Sequence, residues 1–305
     1  MPRTETSDTA AYSGLVSEST IVMVEENGTG TFSVSIYQKN MHYFIKPIIL
    51  LLVFIANINI HAAPADIQFV SIPAGHYIMG TQVLDDAYIE IPPDNKIIIK
   101  DEQPAHRIYI SAFEVGKFEI TQGQWQTIME NKPGPDSHWQ HPQWQQLPVV
   151  SVSWNMTQEF IKTLNEQDTQ YNYRLPTEAE FEYLLRDGSN DLRPFEVEDM
   201  DQYAWTISNS ADVPHPVGKL KPNSLGIYDT FGNAWEWVND WYDPQAYEKH
   251  KKLNPQGPIK KTGKKVRRGG SYHCQSHIVR SGYRAADKSN QRYSVLGFRL
   301  VREKR

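Results

Sequence analysis

The chain contains a single cysteine, and it stands among side chains that could take part in its chemistry: Ser271, His273, Cys274 and His277. A thiolate is a strong nucleophile, and a neighbouring base can activate it. The pattern predicts either a reactive thiol at Cys274 or a small buried apolar side chain. Ser271 is either a hydroxyl that hydrogen-bonds a substrate or a turn residue. One cysteine cannot form an intramolecular disulfide, so the core or a metal must hold the fold together.

A second candidate site lies upstream, where Asp229 and Glu236 flank the turn-forming pair Gly232–Asn233. Two carboxylates with turn carbonyls between them suit a hard cation such as Ca²⁺, which prefers oxygen ligands. The alternative interpretation is structural. In that case Asp229 caps a turn and Glu236 accepts backbone hydrogen bonds.

Large and charged side chains surround both candidates. Trp235 and Trp237 stand two positions apart on an expected strand, and the structural interpretation is that both are core rings. Arginines are spread along the final stretch, and we expect one or more of them to pair with acidic residues inside the domain. These arginines are Arg280, Arg284 and Arg299.

Short helices and strands must position these residues. Thr121 with Gln124, and Thr177 with Glu180, have the spacing of capping boxes that open helices. Another helix should follow a cap at Ser153 or Asn155. Alternation of apolar and polar residues predicts strands within 69–80, 106–113, 115–120 and 149–153.

The second half of the chain predicts little helix. From Asp191 onward, Gly, Pro, Asn and aromatic residues recur at short spacing, which is typical of loops and short strands. The 8 Trp and 16 Tyr indicate a core built on large rings. No repeat or linker divides residues 66–305, so we predict one domain there.

Charge argues against one class of partner. The formal net charge is −5 and no long basic run is present, whereas phosphate binding needs a concentrated Lys/Arg surface. We therefore predict no nucleic-acid partner.

The N-terminal region carries a targeting signal. Residues 47–56 form a short apolar run after Lys46, and small residues follow up to Ala65. This pattern predicts a signal peptide over residues 41–65, cleaved between Ala62 and Ala65, and a periplasmic or secreted protein without a stable membrane span. Residues 1–40 then form a polar extension that is disordered or not translated. The alternative is an uncleaved anchor at residues 47–60.

A series of motifs resembles the sulfatase-modifying factor family, which includes the formylglycine-generating enzymes. The motifs run through nearly all of the chain after the signal sequence. In order they are Phe69–Gly75, Glu102–Arg107, Gly116–Gln122, Pro148–Trp154, Tyr173–Tyr183, Pro216–Asp229, Gly232–Trp237, Arg268–Cys274 and Leu296–Arg299.

The resemblance implies an α+β fold related to C-type lectins, with little regular secondary structure. Some members of this family oxidise a cysteine of sulfatases to formylglycine. Others serve in ergothioneine synthesis or siderophore maturation, or stand beside kinases as modules. The fold does not choose among these activities, so the site residues must decide.

The resemblance also assigns candidate residues. It implies that Asp229 and Glu236, with the carbonyls of Gly232 and Ala234, bind calcium, and that Trp235 borders an active-site groove. A second family calcium site needs a longer segment before this one, so we predict that it is absent.

The family's copper site is incomplete in this chain. In formylglycine-generating enzymes two cysteines five positions apart ligate Cu(I); Cys274 matches the first, and Val279 occupies the position of the second. Three accounts remain. In the first, a substrate thiolate completes a copper site with Cys274, with or without help from His273 or His277. In the second, Cys274 is a lone nucleophile in other chemistry, activated by a nearby base; in the third, it is a buried remnant.

The function predicted from these residues is a formylglycine-generating-enzyme-like protein that acts on a peptide, a protein or a peptide-derived metabolite. The catalytic candidates are Cys274, Ser271 and Trp235. The alternative is a non-catalytic module that binds a protein or glycan through the same lectin-like surface.

Overall fold

The fold is described from a computed structural model, over residues 20–27, 31–38, 66–82 and 100–305. The chain divides into two compact units, residues 1–59 and 60–305. In the first unit, β1 (Thr20–Asn27) pairs antiparallel with β2 (Thr31–Gln38). Their β-branched residues favour extended backbone. The rest of residues 1–40 lies outside the described residues, and the extension that is disordered or not translated stays a prediction. The predicted signal peptide, residues 41–65, lies outside the described residues.

The second unit contains short strands in three sheets. The strands are β3 (Phe69–Ile72), β4 (Gly75–Met79), β5 (His106–Ile110), β6 (Phe113–Gly116), β7 (Tyr171–Arg174), β8 (Trp235–Trp241), β9 (Lys264–Arg268), β10 (Ala285–Lys288), β11 (Leu296–Phe298) and β12 (Val301–Lys304). One sheet has the order β3-β6-β12-β7 and is antiparallel throughout. A second has the order β10-β9-β8-β11, with β8 and β11 parallel. The third is the β4–β5 hairpin.

Four α-helices accompany these sheets in the described residues: α1 (Gln122–Met129), α2 (Trp154–Gln167), α3 (Glu178–Arg186) and α4 (Ala246–Lys249). Both predicted capping boxes are confirmed, because Thr121 caps α1 and Thr177 caps α3 reciprocally with the residue three positions on. Ser153, rather than Asn155, caps α2, and its hydroxyl accepts from the Met156 amide at 3.2 Å. None of the described helices is long and apolar enough to cross a membrane.

Two strand predictions are wrong, one in part and one in whole. The strand predicted over 115–120 ends at Gly116, the last residue of β6. Residues 149–153 form no strand, although Val149 and Val152 are fully buried and the Val149 amide donates to the Ile120 carbonyl at 2.8 Å. The apolar alternation reports burial here, and, among the described residues, the chain next to this segment pairs only at the isolated bridge between Thr121 and Pro148. The α+β class and the low content of regular structure are confirmed.

The core consists of two apolar clusters. In the larger one Trp125 stacks on Phe160, with ring centroids 5.4 Å apart, and both rings meet Phe298 edge-on. The smaller one lies around Tyr77 and Leu184. Such rings bury a large area each, which compensates for the scarcity of regular elements.

The β8–β9 pair positions both candidate sites. Glu236 pairs with Arg268 across these strands, so Trp235 and Glu236 on β8 lie beside the end of β9. The chain leaves β9 through Gly269 and Gly270 directly into the segment that carries Cys274. On its other side, β8 pairs with β11, which ends directly before Arg299.

Candidate functional site

Cys274 lies at the end of a glycine-dependent turn. Gly269 and Gly270 have φ values of 94° and 82°, a region that side chains with a Cβ rarely adopt. A Cβ on Gly270 would lie 3.1 Å from Cγ2 of Val279. The Cys274 amide donates to the Ser271 carbonyl at 2.9 Å, which closes the turn and turns both side chains to the same place.

The thiol of Cys274 is buried beside a hydroxyl. Its exposed fraction is 8%, and that of Ser271 is 0%. The Ser271 Oγ lies 3.4 Å from the Cys274 Sγ, and it also accepts from the His273 amide at 3.3 Å. The structure therefore brings together the predicted thiol and the predicted hydroxyl.

Val279 makes the far side of this site apolar. It is fully buried and belongs to the same apolar cluster as Cys274 and Trp235. Arg193 holds the intervening loop, because its guanidinium donates at 2.7 Å to the carbonyls of Val279 and Ser276. A valine side chain cannot ligate a metal, so the residues present do not fit a copper site built on two protein thiolates.

Trp235 is held between a cation and a phenol. The Arg267 guanidinium lies 4.3 Å from the indole centroid, and the Tyr283 ring centroid lies 5.8 Å away. Burial raises the pKa of Tyr283, and the nearby Cys274 thiol adds to that rise. Trp235 is 5% exposed, and Trp237 is fully buried with its Nε1 donating to the Val152 carbonyl at 3.0 Å. Both indoles are thus core rings, and the groove role of Trp235 stays a prediction.

The two neighbouring histidines point elsewhere. The Nδ1 of His273 lies 2.5 Å from Oδ1 of the exposed Asp212. His277 lines a cavity of about 440 Å³ together with Ile207 and Gln275, and burial lowers its pKa. Among the described residues, the one side chain hydrogen-bonded to the Cys274 thiol is Ser271. A base that would activate the thiol is therefore not in contact with it.

The second predicted site is a buried carboxylate cluster around Arg299. Both oxygens of Glu236 accept from this guanidinium, at 2.7 and 2.6 Å, and both residues are fully buried. Asp229 accepts from the Gly218 amide at 2.7 Å, which fits the predicted turn-capping role. Glu236 takes a guanidinium instead of the backbone donors expected in the structural alternative.

Sequence reasoning missed a third carboxylate, Glu119. It is 1% exposed and accepts from the Ala234 amide at 2.8 Å and from the Asn233 side chain at 2.7 Å. Glu119 therefore holds the turn between Asp229 and Glu236. Glu119 stands two residues before Thr121, the cap of α1. Glu119 and its neighbour Ile120 are both 1% exposed, so the alternation of polar and apolar residues gave no signal for this carboxylate.

The cluster carries more acid than base. Burial raises the pKa of Asp229 to about 6 and also raises the pKa of Glu236. Burial, with repulsion from these two groups, raises the pKa of Glu119 well above its usual value. One guanidinium, that of Arg299, faces three carboxyl groups, so the site favours either protons or an added cation.

Hard oxygen donors and excess negative charge fit calcium. In the described part of the chain, no three His, Cys, Asp or Glu side chains form a metal-binding group. A cation here would accordingly depend on the carbonyls of Gly232 and Ala234 as well as on Asp229 and Glu236. Gly232 has φ 74°, and a Cβ on it would lie 2.1 Å from the Trp205 carbonyl oxygen, so this turn requires glycine.

The expected pairing of the late arginines is confirmed. The Arg284 guanidinium donates to both oxygens of Glu178, at 2.7 and 2.8 Å. Arg280 is paired in the same two-pronged way with Glu102. With Arg299 on Glu236, all three are structural cations and none contacts the thiol.

Comparison with known proteins finds the same family over most of the chain. Residues 60–304 match the model of the "Sulfatase-modifying factor enzyme 1-like domain". The formylglycine-generating enzyme of Bos taurus is 28% identical over 300 residues, which covers 77% of this chain and 74% of that protein. The formylglycine-generating enzyme of Streptomyces coelicolor is 32% identical over 202 residues, which covers 55% of this chain and 59% of that protein.

Relatives under other names match as well. The serine/threonine-protein kinase pkn1 of Chlamydia caviae is 27% identical over 225 residues, covering 67% of this chain and 35% of that protein. Among solved structures, PvdO from Pseudomonas aeruginosa has a TM-score of 0.66 and 26% identity, covering 77% of this chain and 94% of that one.

Proposed function

The chain belongs to the family of the sulfatase-modifying factor enzyme 1-like domain, and from this premise we propose its function. It is an exported, formylglycine-generating-enzyme-like protein that acts on a peptide, a protein or a peptide-derived metabolite. Its site is built on Cys274, Ser271 and Trp235. Its chemistry is not copper oxidation with two protein thiolates. The observation that carries this last point is Val279, fully buried in the apolar cluster that contains Cys274.

Cys274 is the group to which we assign any reaction at this site. The Ser271 hydroxyl, 3.4 Å from the thiol, can hydrogen-bond the thiol or a substrate atom brought to it. Copper coordination with a single protein thiolate would require the substrate to supply a second soft ligand. That arrangement is the alternative that the experiment below separates from our proposal.

Calcium is proposed as a structural ion. The carboxylates of Asp229 and Glu236 and the carbonyls of Gly232 and Ala234 would hold it. The support is the surplus of buried carboxyl groups over guanidinium groups around Arg299. Export is supported by the apolar run at residues 47–56 after Lys46 and by the small residues up to Ala65.

The test is mass spectrometry of a sulfatase-type peptide, Cys-X-Pro-X-Arg, incubated with the protein, Cu(I) and oxygen. We expect no aldehyde from the native protein and conversion by Val279→Cys, which supplies the second thiol with little change in volume. Cys274→Ser in the Val279→Cys background should abolish that conversion. The enzyme of Streptomyces coelicolor is the positive control.

Conversion by the native protein, lost in Cys274→Ser, would overturn the proposal and establish the one-thiolate site. Failure of Val279→Cys to convert the peptide, despite native stability, would mean that the groove does not accept sulfatase-type peptides.

A non-catalytic binding module is the second candidate. Burial of the thiol and its single hydroxyl contact favour it. It predicts that a fluorescent peptide binds equally well to the native protein and to Cys274→Ser, as measured by anisotropy. Under the first proposal, Cys274→Ser instead abolishes turnover of the peptide or metabolite substrate.

A further inference from the structure

The loop before β9 is strongly basic, although the chain as a whole is acidic. Residues 249–268 contain nine Lys and Arg and no Asp or Glu, while the formal net charge is −5. Four of these cations are engaged within the fold. They are Lys249 on Asp243, Arg267 on Asp287, Arg268 on Glu182, and Lys265 between two indoles.

The tip of this loop combines free lysines with an exposed aliphatic residue. We define the basic tip as residues 258–264, which include Ile259, Lys260, Lys261 and Lys264. Its three lysines are exposed and have no carboxylate partner among the described residues. Ile259 is 102% exposed, so its whole side chain faces solvent. A fully exposed isoleucine among unpaired lysines contributes nothing to the stability of the fold.

The base of the tip is fixed. Gly257 donates its amide to the buried Asp240 carboxylate, and the Thr262 hydroxyl donates to the Tyr242 carbonyl at 2.6 Å. The Tyr242 amide in turn donates to the Lys264 carbonyl at 2.9 Å. The tip is therefore presented outward from β8 and β9 at little cost in ordering when it binds a partner.

Lys265 strengthens that base. Its ammonium donates to the Asn239 carbonyl at 2.7 Å and lies 3.9 Å and 4.0 Å from the ring centroids of Trp154 and Trp241. Cation–π contact on both sides holds the start of β9 against the domain. Residues 259–264 lie next to it and are exposed throughout. Among the described residues, none of their lysines lies over an aromatic ring.

We propose that the basic tip docks the protein on an anionic phospholipid bilayer, with Ile259 inserted and the lysines at the headgroups. Lysines beside an anionic surface are attracted to it, and a single aliphatic side chain adds apolar burial at the interface. The excess negative charge elsewhere on the chain would be repelled, which orients the domain with this loop toward the lipid. Nearby Lys251, Lys252 and the 58% exposed Leu253 repeat the same combination.

Nucleic acid fits the tip less well. Binding to single strands uses aromatic stacking platforms, and phosphate and base recognition favours arginine forks. The basic tip contains neither an aromatic residue nor an arginine. An exposed isoleucine has a role at a bilayer and none on a phosphate backbone.

The experiment is a vesicle titration with the full chain. The partition coefficient is measured on phosphatidylcholine vesicles and on mixed phosphatidylcholine–phosphatidylglycerol vesicles, and their ratio is the readout. Any affinity of residues 47–56 for lipid is common to both vesicle types and to all variants, so it cancels in this ratio. We expect a ratio of at least about tenfold at low salt that falls as salt screens the exposed charges.

The triple variant Lys260→Gln, Lys261→Gln, Lys264→Gln should lower the ratio to near one, a loss of at least about tenfold. Ile259→Ser should lower the partition coefficient on the anionic vesicles by about tenfold. The matched control changes three exposed lysines elsewhere, Lys162, Lys219 and Lys304, to Gln, and should leave the ratio near that of the native protein.

Three results would overturn the proposal. The first is a ratio near one for the native protein. The second is an equal loss in the control triple, which would indicate diffuse charge effects. The third is native binding by Ile259→Ser together with tight binding of a soluble polyanion such as heparin, which would assign the tip to a polyanion.

Discussion

Two clusters of buried charge lie in the described part of this domain. The pKa values of Glu178 and Glu182 in one are lowered, whereas those of the three carboxyl groups in the other are raised. The first, the balanced network, joins Glu178 and Glu182 to Arg186, Arg268 and Arg284. The second, the acidic cluster, joins Glu119, Asp229 and Glu236 to Arg299 alone. Burial is nearly complete in both.

The difference lies in the number of cations. Burial alone would raise the pKa of Glu182, but Arg186 and Arg268 outweigh it and lower that pKa. Burial would likewise raise the pKa of Glu178, but the Arg284 guanidinium outweighs burial and lowers that pKa. In the acidic cluster the burial effect wins, and the pKa values rise. Charge balance, and not depth, decides whether a buried carboxyl group stabilises the fold as an anion.

The largest effect should follow from breaking the balanced network. Arg268→Met removes the guanidinium that lies 2.6 Å from Glu182 and 3.7 Å from Glu178, leaving buried negative charge without its partner. We expect the free energy of unfolding to fall by about 3–5 kcal/mol in chemical denaturation. Arg302→Met, which breaks the partly exposed pair with Glu114, is the control and should cost about 1 kcal/mol or less. Similar losses in both variants would contradict the comparison.

Calcium should stabilise the acidic cluster alone. If the ion binds the folded state, calcium at about 100 times its dissociation constant adds about 2.7 kcal/mol to the stability at pH 7. Thermal melting after chelation and after calcium addition measures this. Asp229→Asn should abolish the response, whereas Arg302→Met should retain it. An unchanged melting temperature of the native protein would exclude the proposed site.

The two clusters should also oppose each other in pH dependence. The pKa of Asp229 is raised to about 6 in the fold, so the folded state binds a proton more tightly than the unfolded chain. The stability that Asp229 gains by holding its proton in the fold is therefore fully present below about pH 4. It is lost as pH rises through about 6. The lowered pKa values of Glu178 and Glu182 act in reverse, and their contribution is lost as pH falls below their usual range.

Melting in chelator across this pH range tests the point. Stability of the native protein should fall between pH 4 and 6 by up to about 1.4 kcal/mol per unit for each proton released. Asp229→Asn should flatten that part of the curve. A curve identical to that of the native protein would mean that Asp229 does not titrate there.

The smallest effect is expected from neutralising an acid whose pKa the fold already raises. Glu119→Gln keeps one of the two oxygens that accept hydrogen bonds from the Asn233 side chain and the Ala234 amide. It loses the other bond but also removes a charge that the cluster disfavours. We expect a change in unfolding free energy of about 1 kcal/mol or less, in either direction. Glu182→Gln, by contrast, should cost about 3 kcal/mol. Equal costs would remove the distinction between the clusters.

Sequence patterns predicted the local structure well. The capping boxes at Thr121 and Thr177 were read from spacing alone, because the bonds they form close within three residues. The absence of a second thiol at Val279 was also visible, since the comparison needs only the residue type. The strand predicted at 149–153 failed because alternation reports which side chains are buried and does not reveal whether a neighbouring strand is present.

Long-range pairing is what the sequence alone left open. Composition determined that this chain has one thiol, no disulfide and late arginines in need of acidic partners. The tertiary structure decided which partners they have: Arg280 meets Glu102 across 178 positions, and Arg299 meets Glu236 across 63. It also decided that Glu119 joins the acidic cluster and that neither histidine contacts Cys274. The reason is physical, because a buried charge responds to the sum of all neighbours within a few ångströms, and these arrive from distant segments only when the chain has folded.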